Sequence, residues 1–300
     1  MSKPKTLPEL ATEFADAKES DVFLYSAPVN RSFAQIFCNS ICGIKHRRKS
    51  ATLFLTTSGG DPDAAFLIGR SLQRHYQKGG ITVYIFGSCK SAGTLICVGA
   101  NHIVMSDSGE LGPLDIQLGK DDELFKRSSG LDLTEATKYL KDLSWELFRK
   151  YFVDLKRGTS ITTKTAAEIA QGLAVGIVAP IASQIDPLRL GEVQRAMRIT
   201  KDYGTLLNPT LDVDRLIAAF PSHGFVIDRE QAKLLFQSVR PPDEKEIEFS
   251  RHIWNFIADE SDFAQLISQS AELKKHEQAP IQPVANGEHP TEPAAAPIRQ

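Results

Sequence analysis

The sequence predicts an α/β protein built on a parallel sheet. Short apolar runs rich in β-branched and aromatic residues recur at 22–26, 51–56, 81–86 and 102–106. They show almost no polar alternation, as expected of strands buried on both faces. Between them lie stretches with apolar residues at helical spacing, joined by short loops. Consecutive β-α-β units of this kind imply right-handed crossovers and strands that all point the same way.

Each element follows from its residues. Residues 1–20 are polar and helix-prone and read as a loose lead-in. Val22 to Ser26 is the first strand. A helix from Phe33 to Ile44 places Phe33, Ile36, Phe37, Ile41 and Ile44 at helical spacing, and the basic run Lys45 to Lys49 suits its C-terminus. Ala51 to Thr56 is the second strand, and Thr57-Ser58-Gly59-Gly60 is a tight loop. Asp61 is a good N-cap and Pro62 a good first helical residue. Ala65, Ile68, Leu72 and Tyr76 then recur at helical spacing until Gly79-Gly80. Ile81 to Phe86 is the third strand, Ser91 to Gly99 a helix, and His102 to Ser106 another strand.

Beyond Gly119 the chain turns helical. Helices are predicted from Thr134 to Arg157, Ala166 to Gly172, Leu190 to Asn208 and Arg229 to Ser238, with Phe225-Val226-Ile227 strand-like. Pro241-Pro242 breaks the chain. Residues 241–278 read as a separate amphipathic extension. Residues 279–300, rich in proline and alanine with few large apolar groups, are expected to be disordered. The main domain is thus 21–240.

Composition narrows the function. The 300 residues carry 35 Lys plus Arg and 37 Asp plus Glu, a net charge of −2. That balance argues against a nucleic-acid-coating protein and a polybasic membrane binder. No run of 18 apolar residues occurs, so no membrane span is expected. The first twenty residues lack the apolar centre of a secretory signal, so a cytoplasmic location is expected. Cys38, Cys42, Cys89 and Cys97 have no zinc-ligand spacing and read as reduced, mostly buried thiols. No metal or cofactor is implied.

Two loops carry chemistry. Thr57-Ser58-Gly59-Gly60-Asp61 and Gly87-Ser88-Cys89-Lys90-Ser91-Ala92-Gly93-Thr94 each join a strand to a helix. Both lie at the carboxyl ends of neighbouring strands, where α/β sheets place ligands. A serine opening a helix there has an exposed hydroxyl near the positive helix end. Backbone N–H groups of Gly60 and Ala92 can form a two-donor oxyanion hole beside Ser91. Taken singly, the glycine pair is equally a plain turn and Ser91 equally an N-cap.

The order and spacing of the pair resemble the Clp-protease/crotonase superfamily, in its serine-protease branch. Lys90-Ser91-Ala92-Gly93-Thr94-Leu95-Ile96, His102-Ile103-Val104-Met105, Leu111-Gly112-Pro113-Leu114-Asp115-Ile116-Gln117 and Pro221 to Ala232 most resemble the serine dehydrogenase proteinase family, a relative of the signal peptide peptidases. The resemblance spans roughly residues 21–240. It implies a Clp-like fold, a serine peptidase acting on peptides or proteins, and homo-oligomeric rings. It also implies Ser91 as nucleophile and Gly60 and Ala92 as the oxyanion hole.

The general base departs from the pattern. The Clp proteolytic subunit has a histidine a little over 20 residues past its serine, and here that window holds none. His102 opens a strand and is set aside. Signal peptide peptidases use a helical lysine, and Lys138 and Lys141 lie at suitable distances. His223 falls near the position where the Clp subunit carries its catalytic aspartate. The base is therefore His223, Lys138 or Lys141, with Asp115 able to orient it. Three rivals stand beside a peptidase: a crotonase-type acyl-CoA enzyme, an inactive Clp-fold scaffold, and an adaptor working through the C-terminal helix.

Overall fold

The computed structural model describes residues 5–114, 117–119, 127–259 and 262–268. Asp115 and the tail from 279 lie outside them. Helix α1 (Leu7–Lys18) leads into β1 (Ser20–Ser26), α2 (Arg31–Cys42), β2 (Ser50–Thr56), α3 (Pro62–His75) and β3 (Ile81–Ile85). Next come β4 (Ser88–Cys89), α4 (Ala92–Val98), β5 (His102–Met105), β6 (Glu110–Leu111), β7 (Gln117–Gly119) and β8 (Arg127–Ser129). The helical part comprises α5 (Gly130–Gly158), α6 (Thr163–Ala182), α7 (Pro187–Leu207), α8 (Val213–Ala218) and α9 (Arg229–Leu235). The chain continues through β9 (Val239–Arg240), α10 (Glu244–Asp259) and β10 (Phe263–Leu266).

The main sheet has the order β10-β1-β2-β3-β5-β9. All neighbours are parallel except β10, which runs antiparallel to β1. The strands lack polar alternation because both faces are covered. Phe23, Tyr25, Leu53, Val83 and Ile103 point into a core shared with α2, α3 and α4. Val22, Leu24, Phe54, Tyr84 and Val104 point the other way, into a second core with α1 and α10. The local signals act as predicted: Asp61 accepts from the Asp63 N–H with Pro62 in the first turn, and Arg47 donates to the Ile41 carbonyl at the end of α2.

The second core corrects two expectations. The supposed loose lead-in folds as α1 and buries Ala11, Phe14 and Ala15. The supposed separate extension is part of the same body: the Phe249 ring of α10 stacks on Phe14 at 4.5 Å, and β10 completes the sheet edge. Helix α6 also runs to Ala182, ten residues past the predicted end at Gly172. By length and composition it can cross a membrane, where no such helix was expected. Among the thiols, Cys89 and Cys97 are buried as expected, but Cys42 is exposed.

Glu246 anchors α10 to the sheet. Its carboxylate is fully buried and accepts from Lys18, Arg240 and the Tyr84 hydroxyl, at 2.7–2.8 Å. Burial alone would raise its pKa, but the bonds from Arg240, Lys18 and Tyr84 hold it well below the usual carboxylate range. Its contribution is therefore complete above about pH 4.3, the unfolded value, and is lost as pH falls through the lower folded value. Glu246→Gln is expected to lower stability by about 2–3 kcal/mol at neutral pH, less than a fully enclosed pair because Arg240 and Lys18 reach solvent. Urea titrations of both proteins from pH 7 to pH 2 check this. The gap should narrow on the acid side, and a constant gap would contradict the assignment.

Candidate active site

The predicted loops meet at the carboxyl ends of β2 and β3. The Thr57 N–H donates to the Ser88 carbonyl at 2.9 Å, and the Lys90 N–H donates back to the Thr57 carbonyl at 3.0 Å. Strand β4 pairs in parallel with β6, so residues 110–112 run alongside the turn that holds Ser91. The Thr94 hydroxyl donates to the Gly112 carbonyl at 2.7 Å, and Ile227 pairs with Leu111 on the far side.

Ser91 occupies an unusual conformation. Its φ is 49° and ψ −112°, a region nearly closed to residues with a Cβ. The Ser91 hydroxyl does not cap α4, and it has no hydrogen-bond partner among the described residues. A serine held this way costs about 1–3 kcal/mol and presents its oxygen instead of packing it.

The glycine loop is fitted to that turn. Gly59 has φ 103°, and a Cβ on it would stand 2.9 Å from the Ser91 Cβ and 3.5 Å from the Ala92 nitrogen. Gly60 has φ 146°, and a Cβ there would sit 2.1 Å from the Val29 carbonyl oxygen. Both positions therefore require glycine. The Gly60 N–H has no acceptor among the described residues. The Ala92 N–H opens α4, where no intrahelical acceptor exists. Free amides in the two loops that meet at the serine turn are the kind of donor that stabilises a developing oxyanion.

Gly59→Ala is expected to displace Ser91 while leaving the hydroxyl in place. Turnover should fall about 100-fold, the scale on which a misplaced reacting group costs rate. Stability should fall by about 1–3 kcal/mol from the strained φ. Steady-state kinetics with thermal unfolding check both, and full turnover in a folded variant would sever the link between this loop and Ser91.

The candidate bases are placed differently. His223 is partly buried within the turn closed by the bond from the Phe225 N–H to the Ser222 carbonyl, just before the segment paired with Leu111. Lys138 and Lys141 are exposed on α5. Among the described residues no hydrogen bond joins any of the three to Ser91. His102 stands at the opposite end of the sheet, paired with Thr82 and bound to the Ser238 hydroxyl.

Lys90 is a site residue that motif reading passed over. Its side chain is only 15% exposed, and its ammonium lies 3.2 Å from Glu110 and within 3.5 Å of the Leu111 and Phe225 carbonyls. It ties the serine turn to the segments on both sides. The only sequence signal was a charged residue flanked by apolar and small ones. Cys89 offers no rival nucleophile, because burial, with Cys97 beside it, pushes its thiol well above the ordinary range. No group of three or more His, Cys, Asp or Glu among the described residues can hold a metal ion.

Neither a family profile nor a curated protein sequence matches the chain. Solved structures do match, among them a membrane-bound stomatin-specific protease in a serine-to-alanine mutant form. The two are 18% identical, the match covers 50% of this chain and 69% of the other, and the TM-score is 0.32. A likeness this loose carries no weight for function, which rests on the geometry around Ser91.

Proposed function

We propose that the protein is a serine peptidase that hydrolyses peptide bonds through an acyl-enzyme at Ser91. The observation that supports this best is the strained, uncapped Ser91 in a turn that packs against the Gly59-Gly60 loop. In this mechanism the Ser91 Oγ attacks the peptide carbonyl carbon and its proton passes to a general base. The Gly60 and Ala92 N–H groups hold the oxyanion. Collapse breaks the C–N bond, and the base returns the proton to the leaving amine. Water then attacks the ester by the same route and frees Ser91. A crotonase-type acyl-CoA enzyme would use the same donors but would have no use for a strained serine. The word peptide rests on the sequence resemblance, and turnover of a peptide library against acyl-CoA thioesters tests it directly.

His223 is the base favoured here, since Lys138 and Lys141 stand in solvent, and a lysine must be stripped of water to accept a proton near neutral pH. An imidazole within reach of the serine can take the Ser91 proton and return it to the leaving amine, so activity should depend on His223. His223→Gln should remove most of it, and Lys138→Met and Lys141→Met should be mild. Inactive lysine variants with an active His223→Gln would reverse the assignment. Full activity in all three would leave the base to another group. A second reading, an inactive scaffold of the same fold, is favoured by the lack of any base bonded to Ser91 among the described residues. Absence of hydrolysis and of serine labelling in the folded protein would decide for it.

A further inference from the structure

Lys90 stands directly before Ser91, and its side chain is largely enclosed. A lysine is rarely enclosed without partners. An ammonium has three N–H donors, and here the Glu110 carboxylate at 3.2 Å, the Leu111 carbonyl at 3.3 Å and the Phe225 carbonyl at 3.5 Å meet them. With its donors so engaged, Lys90 serves as a tie between segments and not as the proton acceptor of the site. Gly112 leaves room for its stem: a Cβ there would stand 2.7 Å from the Lys90 Cδ and 3.3 Å from its Cα.

The Phe225 end of the tie belongs to the turn that carries His223. That turn is closed by the bond from the Phe225 N–H to the Ser222 carbonyl at 3.1 Å, and the Phe220 and Phe225 rings lie 5.0 Å apart across it. No heavy atom lies within 4 Å of a Cβ built on Gly224, so close packing does not hold the turn at that point. Fixing the Phe225 carbonyl therefore fixes where the turn stands. We propose that Lys90 is a positioning residue for the reaction at Ser91, acting through His223: its ammonium holds the His223 turn in place against the serine turn. This inference rests on the serine peptidase reading. Losing the tie leaves the fold standing. The Leu111 carbonyl keeps its bond from the Ile227 N–H, and Glu110 is exposed enough for water to replace the ammonium.

Peptide hydrolysis and fluorophosphonate labelling by the full chain test it, with folding followed by circular dichroism. Lys90→Met should lower kcat about 100-fold, the scale on which a displaced reacting group costs rate, with KM changed by less than about twofold. Lys90→Arg keeps a charged donor and should recover about tenfold of that loss. Gly112→Ala, which crowds the stem and leaves the charge, should show the same kcat defect in weaker form. The deciding protein combines Lys90→Met with His223→Gln. It should be no slower than His223→Gln alone, because a tie to a missing base has nothing left to position. If Lys90→Met does not fold, Gly112→Ala takes its place in the pair. Losses that multiply in the double variant would make Lys90 merely structural and overturn the proposal. So would full kcat in Lys90→Met, or full activity in His223→Gln. A parent chain that neither hydrolyses peptides nor takes the probe would sink the peptidase reading itself, and this inference with it.

Discussion

Replacing Ser91 with alanine is expected to remove peptide hydrolysis, by about a million-fold if the site is fully assembled. Nothing else should change. The hydroxyl caps no helix and bonds no described group, so its loss costs no structural hydrogen bond. Read singly, Ser91 could equally have been an N-cap, which would have made the same substitution cost about 1 kcal/mol. Glycine at the same position separates strain from chemistry. Ser91→Gly should be equally inactive yet more stable than the parent by about 1–2 kcal/mol, because φ 49° with ψ −112° suits a residue without Cβ. Denaturant unfolding of the three proteins measures this directly. A glycine variant no more stable than alanine would mean that the turn stores no strain.

Truncation before Pro241 is the second large effect. It removes α10 and β10, and with them the buried Phe249, Ile253, Phe263, Ala264, Leu266 and Ile267. At about 1.5–3 kcal/mol per large buried side chain, the loss approaches or exceeds the whole stability of an ordinary domain, about 5–15 kcal/mol. It also uncovers Phe14, Phe54 and Tyr84 and frees the β1 edge for pairing with other chains. The truncated chain is expected to be insoluble or unfolded by circular dichroism. A folded, active 1–240 fragment would show that the extension is a separate module after all, and would return the adaptor reading to consideration.

These outcomes follow the line between what was legible in the sequence and what was not. The strands and the helices between them could be read because β1, β2, β3 and β5 are covered on both faces and therefore apolar throughout. The glycine loop and the serine turn were legible as a pair at fixed order. What escaped depends on distant partners. Leu7, Leu10 and Phe14 look like a few apolar residues in a polar lead-in until α10, more than 200 residues later, supplies Phe249. Strands β4 and β6 have two residues each, too few for any periodicity, yet they seat the serine turn. Helix α6 runs on past its predicted end at Gly172 through Gly176 and Pro180, residues that are unfavourable inside a helix. The positive φ of Ser91 has no signature of its own, since a serine carries no sign of the strain placed on it.

The nucleophile assignment is tested most directly by incubating the intact protein with a fluorophosphonate and locating the adduct by peptide mass spectrometry. The account predicts one adduct per chain, on Ser91, lost in Ser91→Ala and much slower in Gly59→Ala. An adduct on another serine, or no adduct on a protein that turns over peptides, would contradict it.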